Sequence, residues 1–467
     1  VGTISDYDGE FLLTVSDDAT TLVVSFVGMQ TQEVAIKERM IITLHEATEM
    51  IQEVVVTGYG NVSKGSFAGS AQAVDAEVIE KKSPTEVSKA LAGEVAGVQV
   101  INSSGQPGTN ATLVIRGVGS LNGSATPLYV VDGVTYDGDI SAIDPGDIAS
   151  TTVLKDAAAT ALYGSRGANG VVVITTKKGY SNEEGPIDED VKYGANMRLL
   201  PLYDVVTSPE EYVAMSWLSL YNSFRLDNKN NQAQSIKNAN KALYSNGGLP
   251  VGYNLWDAKG EYLINDGLAT YGYVNPSFDM NIPRRKGYEN LESWRDEIFR
   301  VGQKANATVK FHGGTEKMDY YTSIGYLKDE GYYQSSDYSR ITLRSNLNFT
   351  PKKWLKGNLN ISYSYSDMNS PNQEGDGQMN NGFYYVNAIP AIYPVFLRNA
   401  DGETYIDPRT GRLAYDYGDG LGRAFGFGIN PAGALHLDKQ KQVQHTVNAQ
   451  GGLELKLYKG LKLSVDA

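Results

Sequence analysis

Ile341-Thr342-Leu343-Arg344-Ser345-Asn346-Leu347-Asn348-Phe349 is the stretch on which the fold turns. Apolar residues stand at Ile341, Leu343, Leu347 and Phe349, with Thr342, Arg344, Asn346 and Asn348 between them. A period of two marks a strand with one apolar face. Outward from it, Leu355, Leu359, Ile361, Tyr363 and Tyr365 alternate with Lys356, Asn358, Asn360, Ser362, Ser364 and Ser366. Val443 to Leu457 alternates with a slip near Gly451-Gly452, and Ala305 to Gly313 and Met318 to Leu327 do so less cleanly. Several of these runs exceed the ~5–6 residues usual in soluble sheets and match the ~9–11 of a tilted membrane-spanning strand.

The connections take sides. Gly314 to Lys317, Thr350 to Trp354 and Tyr458 to Gly460 are short, whereas Asp329 to Asp337 and Asp367 to Lys441 are long. Short turns on one rim and long loops on the other are the mark of an outer-membrane barrel. Tyr320, Tyr326, Tyr332, Tyr333, Tyr338 and Trp354 lie near strand ends and suit an interfacial aromatic girdle. A soluble β-sandwich or propeller built from the same hairpins is the alternative, and the lack of a blade-length repeat weighs against the propeller.

Composition narrows the function classes. With no cysteine there is neither a disulfide framework nor a thiolate metal site. A net charge of −13 leaves no basic footprint for nucleic acid. No apolar stretch approaches the ~18 residues of a membrane-spanning helix, so a membrane crossing has to be made by strands. No secretory signal is visible, and the chain opens and stops inside strand-rich patterns. That reads as a piece of a longer polypeptide.

Towards the amino terminus, Phe11 to Val15, Leu22 to Phe26, Gln32 to Ile36 and Met40 to Leu44 read as short strands of a partial β-sandwich. The run Glu53-Val54-Val55-Val56-Thr57-Gly58-Tyr59-Gly60 then reads as a strand with no hairpin partner downstream. An unpaired strand is a handle for another chain, or else a last sandwich strand or linker. Residues 71–180 read as a compact α/β unit. Ser83-Pro84-Thr85-Glu86 predicts a capped helix running to about Ala92. Strands are expected at Val98 to Asn102, Ala111 to Gly117, Leu128 to Val131, Val134 to Tyr136, Ser150 to Leu154 and Gly170 to Lys177. Asp144-Pro145-Gly146-Asp147 predicts a helical turn, and Asp156 a cap for a helix over Ala157 to Tyr163.

In this order the motifs resemble one family. They are Glu53 to Gly60, Ala90 to Val100 (Ala-Leu-Ala-Gly-Glu-Val-Ala-Gly-Val-Gln-Val), Val114-Ile115-Arg116-Gly117 and Pro127 to Val134 (Pro-Leu-Tyr-Val-Val-Asp-Gly-Val). Val153 to Ala157 and Leu162 to Lys177 complete the series. The chain resembles the SusC/RagA family of TonB-dependent outer-membrane transporters over nearly its whole length. The resemblance implies a mainly β fold: an antiparallel transmembrane barrel of about 22 strands closed by an N-terminal α/β plug. The barrel is incomplete here, since only about eight candidate strands can be counted. The implied division is a carboxypeptidase-regulatory-like partial sandwich (1–47), a linker carrying the TonB box (48–62), the plug (63–180), an acidic linker (181–190) and the first part of the barrel (191–467).

The resemblance also implies partners and a location. Glu53, Val54, Val55, Val56, Thr57, Gly58, Tyr59 and Gly60 match the TonB box, which pairs with TonB by strand addition. A SusD-like lipoprotein would cap the outer side, the barrel would contact outer-membrane lipid, and the plug and N-terminal domain would face the periplasm. The implied function is import of a large nutrient, a glycan or a peptide. Iron-chelate uptake, and a non-transporting receptor or adhesin, are the alternatives.

Arg116, Asp132, Lys155, Asp156 and Arg166 are candidates for an ionic network between plug and wall, against ordinary surface salt bridges. Phe383, Tyr384, Tyr385, Tyr405, Tyr415 and Tyr417, with Asp401, Asp407 and Asp416, have a sugar-binding composition, against plain loop packing. Gly164, Gly167 and Gly170 follow a helix rather than precede one, so a phosphate loop is not expected. The four histidines are scattered, and neither a metal site, a cofactor nor a catalytic arrangement is expected.

Overall fold

The computed structural model describes residues 3, 5, 11–16, 19–24, 32–37, 39–43, 54–56, 61–63, 71–82, 85–102, 104–118, 125–156, 160–179, 185–199, 203–227, 231–245, 248–257, 263–265, 269–270, 273–274, 276–371, 381–399, 401–437, 440–458 and 460–466.

Two small hairpins come first. β1 (Thr21–Val24) pairs with β2 (Gln32–Ala35). The described residues of Phe11 to Val15 and Met40 to Leu44 form no strand, and Leu12 and Ile41 are almost wholly exposed. Among the described residues no sheet covers them. β3 (Val54–Val56) then pairs with β4 (Asn61–Ser63), Val55 opposite Val62. The unpartnered strand expected from the sequence thus has a partner inside its own chain. Glu53 and Thr57 to Gly60 lie outside the described residues.

The plug is built on a five-stranded sheet. Its strands are β5 (Ala71–Asp75), β8 (Leu128–Val131), β9 (Val134–Tyr136), β10 (Ile148–Leu154) and β11 (Val171–Thr176), in the order β5-β10-β11-β8-β9. Only β8 and β11 run parallel. Because β-strand side chains alternate, Val153, Val172, Ile174 and Val131 point to one face and Leu154, Val171, Val173 and Val130 to the other. Both faces are covered. The first packs under α1 (Ala76–Lys82), α2 (Val87–Ala90) and the hairpin of β6 (Val98–Ile101) and β7 (Thr112–Ile115), the second under Tyr163. The expected helix from Ser83 shrinks to α2, whose N-cap Glu86 makes no side-chain cap bond. Ser83 and Pro84 lie outside the described residues.

The wall is a seven-stranded antiparallel sheet in strict sequence order. It comprises β12 (Ile187–Asn196), β13 (Gly302–Thr315), β14 (Met318–Glu330), β15 (Asp337–Lys352), β16 (Leu355–Asn369), β17 (Lys441–Tyr458) and β18 (Leu461–Asp466). Residues 187–190, read as the end of an acidic linker, are strand, each paired with β13. The wall inverts the usual solvent logic. Ile324, Ile341, Leu343, Leu359, Ile361, Val447 and Val465 are exposed. Lys310, Ser323, Arg340, Thr342, Arg344, Asn346 and Ser364 on the opposite face are buried. An apolar outer face and a polar, filled inner face define a barrel wall standing in lipid.

The turns between β13 and β14, β15 and β16, and β17 and β18 are tight. The opposite rim carries 197–301, 331–336 and 370–440. The long insertions fold together. Val213, Trp217 and Tyr221 of α3 (Pro209–Asn222), with Tyr253 and Trp256, share one core with Ile392 and Tyr393. Ser208 caps α3 through the amide of Glu211, with Pro209 at the first position.

Candidate functional site

The site is the seam between plug and wall. On the plug, Asp144 caps a single turn at Pro145–Asp147, its Oδ1 accepting the Gly146 amide at 2.8 Å. That turn presents two carboxylates, Asp144 and Asp147, both almost fully buried. On the inner face of β15, Arg340 and Arg344 stand four residues apart, an even spacing that points both inward. Arg344 Nε lies 3.4 Å from Asp147 Oδ2, and Arg340 Nη2 lies 3.8 Å from Asp144 Oδ2. Tyr321 of β14 donates its hydroxyl to Asp147 Oδ1 at 2.9 Å, and Thr342 donates to Asp144 Oδ2 at 3.5 Å.

Close approach here depends on a missing side chain. A Cβ on Gly325 would stand 2.6 Å from Asp144 Oδ2 and 2.5 Å from Thr342 Oγ1. The inward glycine of β14 makes room for the plug carboxylate.

Arg340 does more than pair with charge. Its Nη1 donates to the carbonyls of Thr85, Ser141 and Ile143 at 3.2, 2.5 and 3.4 Å. One wall guanidinium therefore ties together two plug segments distant in sequence. Further along the seam, Asn346 donates to Thr176 Oγ1 and Lys177 O, and Gln450 donates to Val131 O. Lys310 lies 3.7 Å from Glu80 of α1. Charges and hydrogen bonds thus hold the seam, with the Tyr338 ring of β15 set against Gly108, while the plug's apolar clusters are its own.

Burial, with the neighbouring Asp144 carboxylate, pushes Asp147 above the ordinary carboxylate range, and Arg344 pulls against this. Burial likewise raises Glu86, and Lys89 and Arg340 oppose it.

Of the charged plug residues expected to bridge to the wall, Asp132, Lys155 and Arg166 bond within the plug. Asp132 accepts from the amide and hydroxyl of Thr176, which fastens the β8–β9 turn to the end of β11. Lys155 donates to Ala96 O and Gln72, and Arg166 forms an exposed ion pair with Asp137. Arg116 is exposed at a left-handed backbone position, φ 56°. Asp156 accepts the Thr160 amide through its carbonyl. The residues that do bridge, Asp144, Asp147, Arg340 and Arg344, carried a signal in part: two arginines on the polar face of a strand whose other face is apolar.

The aromatic loop candidates divide. Tyr385, on α4 (Gly382–Ala388), is fully buried beside Trp294 and Phe425. Phe383 stacks on Tyr333, and Tyr415 packs between Phe396 and His436. Asp416 is buried and accepts from the Tyr253 hydroxyl and the Gly418 amide. Tyr384 and Tyr405 are exposed, and Tyr417 is half-buried. Asp401 is exposed, and Asp407 pairs with Arg409.

A plug braced inside a polar-lined, lipid-facing wall defines a plugged outer-membrane receptor. Residues 63–171 match the TonB-dependent receptor plug domain. TonB-dependent receptor SusC of Bacteroides thetaiotaomicron is 32% identical over 386 residues, covering 80% of this chain and 32% of that protein. TonB-dependent receptor P39 of Formosa agariphila is 31% identical over 413 residues, covering 88% and 34%. The RagAB peptide importer in its open-open state superposes with a TM-score of 0.63 at 28% identity, covering 89% of this chain and 42% of that one. The closed-closed state gives 0.62 at 27% identity, covering 85% and 40%. The chain spans about a third of the length of the curated relatives it matches. It belongs to the SusC/RagA family of TonB-dependent receptors.

Proposed function

We propose that this chain forms the plug and part of the wall of an energy-coupled importer that carries a large nutrient, a peptide or a glycan, across the outer membrane. The observation that carries the reading is the seam. A plug with its own apolar core, seated by hydrogen bonds and ion pairs, can be shifted without exposing that core. The rim of long loops faces outward in this reading, and the short-turn rim and plug entry face the periplasm. The large folded insertions offer the surface on which a SusD-like lipoprotein would sit.

The β3–β4 hairpin adds a step. For TonB to take Val54 to Val56 by strand addition, their pairing with Asn61 to Ser63 has to open. Ligand binding would favour that opening. A peptide substrate is supported by the likeness to the RagAB peptide importer, and a glycan by the composition of the loops.

The test is a full-length receptor lacking residues 53–60. Uptake should vanish while surface binding persists, and undiminished uptake would refute the proposal.

A further inference from the structure

A cleft of about 330 Å³ opens where the plug meets the long-loop rim. Its plug side is Thr85, Lys89 and the loop Gly105-Gln106-Pro107. Its wall side is the end of β12 (Asn196, Met197, Leu199) and the end of β14 (Asp329, Gly331, Tyr332). A smaller hollow of about 90 Å³ continues it past Gly105, Gln106 and Tyr332 to Phe383. The larger volume falls within the ~300–1,000 Å³ of small-ligand sites.

Asp329 on the wall and Lys89 on the plug line this cleft, and Lys304, the cross-strand partner of Asp329, bears on that carboxylate from the next strand. Asp329, 6% exposed, is held by Asn196, whose Nδ2 lies 2.6 Å from Oδ1 and 2.8 Å from the Glu330 carbonyl. Lys89 is half-buried, with Nζ 3.0 Å from Glu86 Oε1. Glu86 is fully buried, and its other carboxylate oxygen has no hydrogen-bond partner. Between the charges, Gln106 is gripped at both ends: Ser336 donates to its Oε1 at 2.7 Å, and its Nε2 donates to Asn369 O at 3.0 Å. Any occupant of the cleft therefore presses on a plug side chain that is tied to two wall elements.

We propose that this cleft is a subsite for the free amino-terminal end of a peptide, with Asp329 taking the ammonium group and Lys89 facing the peptide's carbonyls or carboxylate. The assignment rests on the import reading above. An ammonium ion brings a desolvated carboxylate a counter-charge as well as a hydrogen bond, whereas a neutral sugar hydroxyl brings the hydrogen bond alone. Met197, Leu199, Pro107 and Tyr332 give apolar contact for side chains.

The test uses the full-length receptor in detergent, with a peptic digest of serum albumin as probe, before and after acetylation of its amines. Retained peptides are read by mass spectrometry. The wild type should retain untreated peptides and lose them on acetylation, and Asp329→Asn should retain about tenfold less. Leu199→Trp, which fills the cleft from an exposed position without changing charge, should do the same. Retention that ignores acetylation or both variants, retention of no peptide, or retention of maltoheptaose instead would overturn the subsite. Deleting residues 53–60 in parallel separates the two claims. Uptake that depends on those residues, with binding indifferent to Asp329, removes the subsite and leaves import standing; uptake without them removes import.

Discussion

The plug and the wall are built on opposite plans. The plug buries Leu113, Val153, Val172 and Ile174 at its centre and turns Asp144 and Asp147 outward. The wall turns Ile341 and Leu343 outward and Arg340 and Arg344 towards the plug. Each is therefore apolar where the other is polar, and they meet polar to polar. The difference teaches where cohesion resides. The plug core resists disruption by apolar burial, at ~25 cal/mol per Å². The seam offers directional bonds whose net worth is small while they are satisfied and whose loss is costly.

The comparison can be broken most forcefully at the seam. Arg344→Met leaves Asp147 buried without its counter-charge, and removing one partner of a buried pair costs ~3–5 kcal/mol. The urea midpoint for plug release, followed by protease accessibility of the plug, should drop by that equivalent while the barrel keeps its heat-modifiable migration. Inside the plug, Leu113→Ala should cost ~2–5 kcal/mol by leaving a cavity. That loss should appear as a destabilised plug fold, measured by hydrogen exchange of β6 and β7, with the Arg340 and Arg344 contacts intact. On the outer face, Leu343→Arg should cost ~2–4 kcal/mol near the bilayer midplane. It should lower the yield of inserted barrel in vesicle-folding assays without loosening the plug.

A subtler effect concerns pH. Because the native pKa of Asp147 is raised, the seated plug holds a proton that the unfolded chain has released between the two values. Stability from this group therefore falls as pH rises through that window, upward from about 4. The urea midpoint of the wild type should decline relative to Asp147→Asn over that rise. A constant difference would remove Asp147 as the titrating group. Least of all, Arg166→Ala breaks an exposed pair and should change plug release by about 0–1 kcal/mol.

Much of the wall was legible because alternation is a local property. β15 and β16 announce themselves in consecutive residues. β12 did not, because Asp188, Glu189 and Asp190 mask the outward positions of Ile187, Val191 and Tyr193. Losing that strand also hid the fact that 197–301 is an insertion on the long-loop rim. Six plug strands were read closely, but β5 and α1 were missed and the capped helix from Ser83 was overextended. The seam was the least legible part. Asp144 and Asp147 looked like turn-formers, and their partners lie nearly two hundred residues away. The aromatic loop residues were ambiguous for a similar reason. Whether a tyrosine faces a ligand or a neighbouring insertion depends on contacts such as Trp294 to the Tyr393 carbonyl, which span the two insertions.

That shared core has a consequence for how such receptors diversify. Trp217 and Tyr253 from one insertion and Ile392 and Tyr393 from the other fill a common interior, and Tyr253 anchors Asp416 across it. A chimaera that exchanged one insertion alone would strand half of that interior against a mismatched surface. The two are one module written in two places, so new specificities would be transplanted as a matched set.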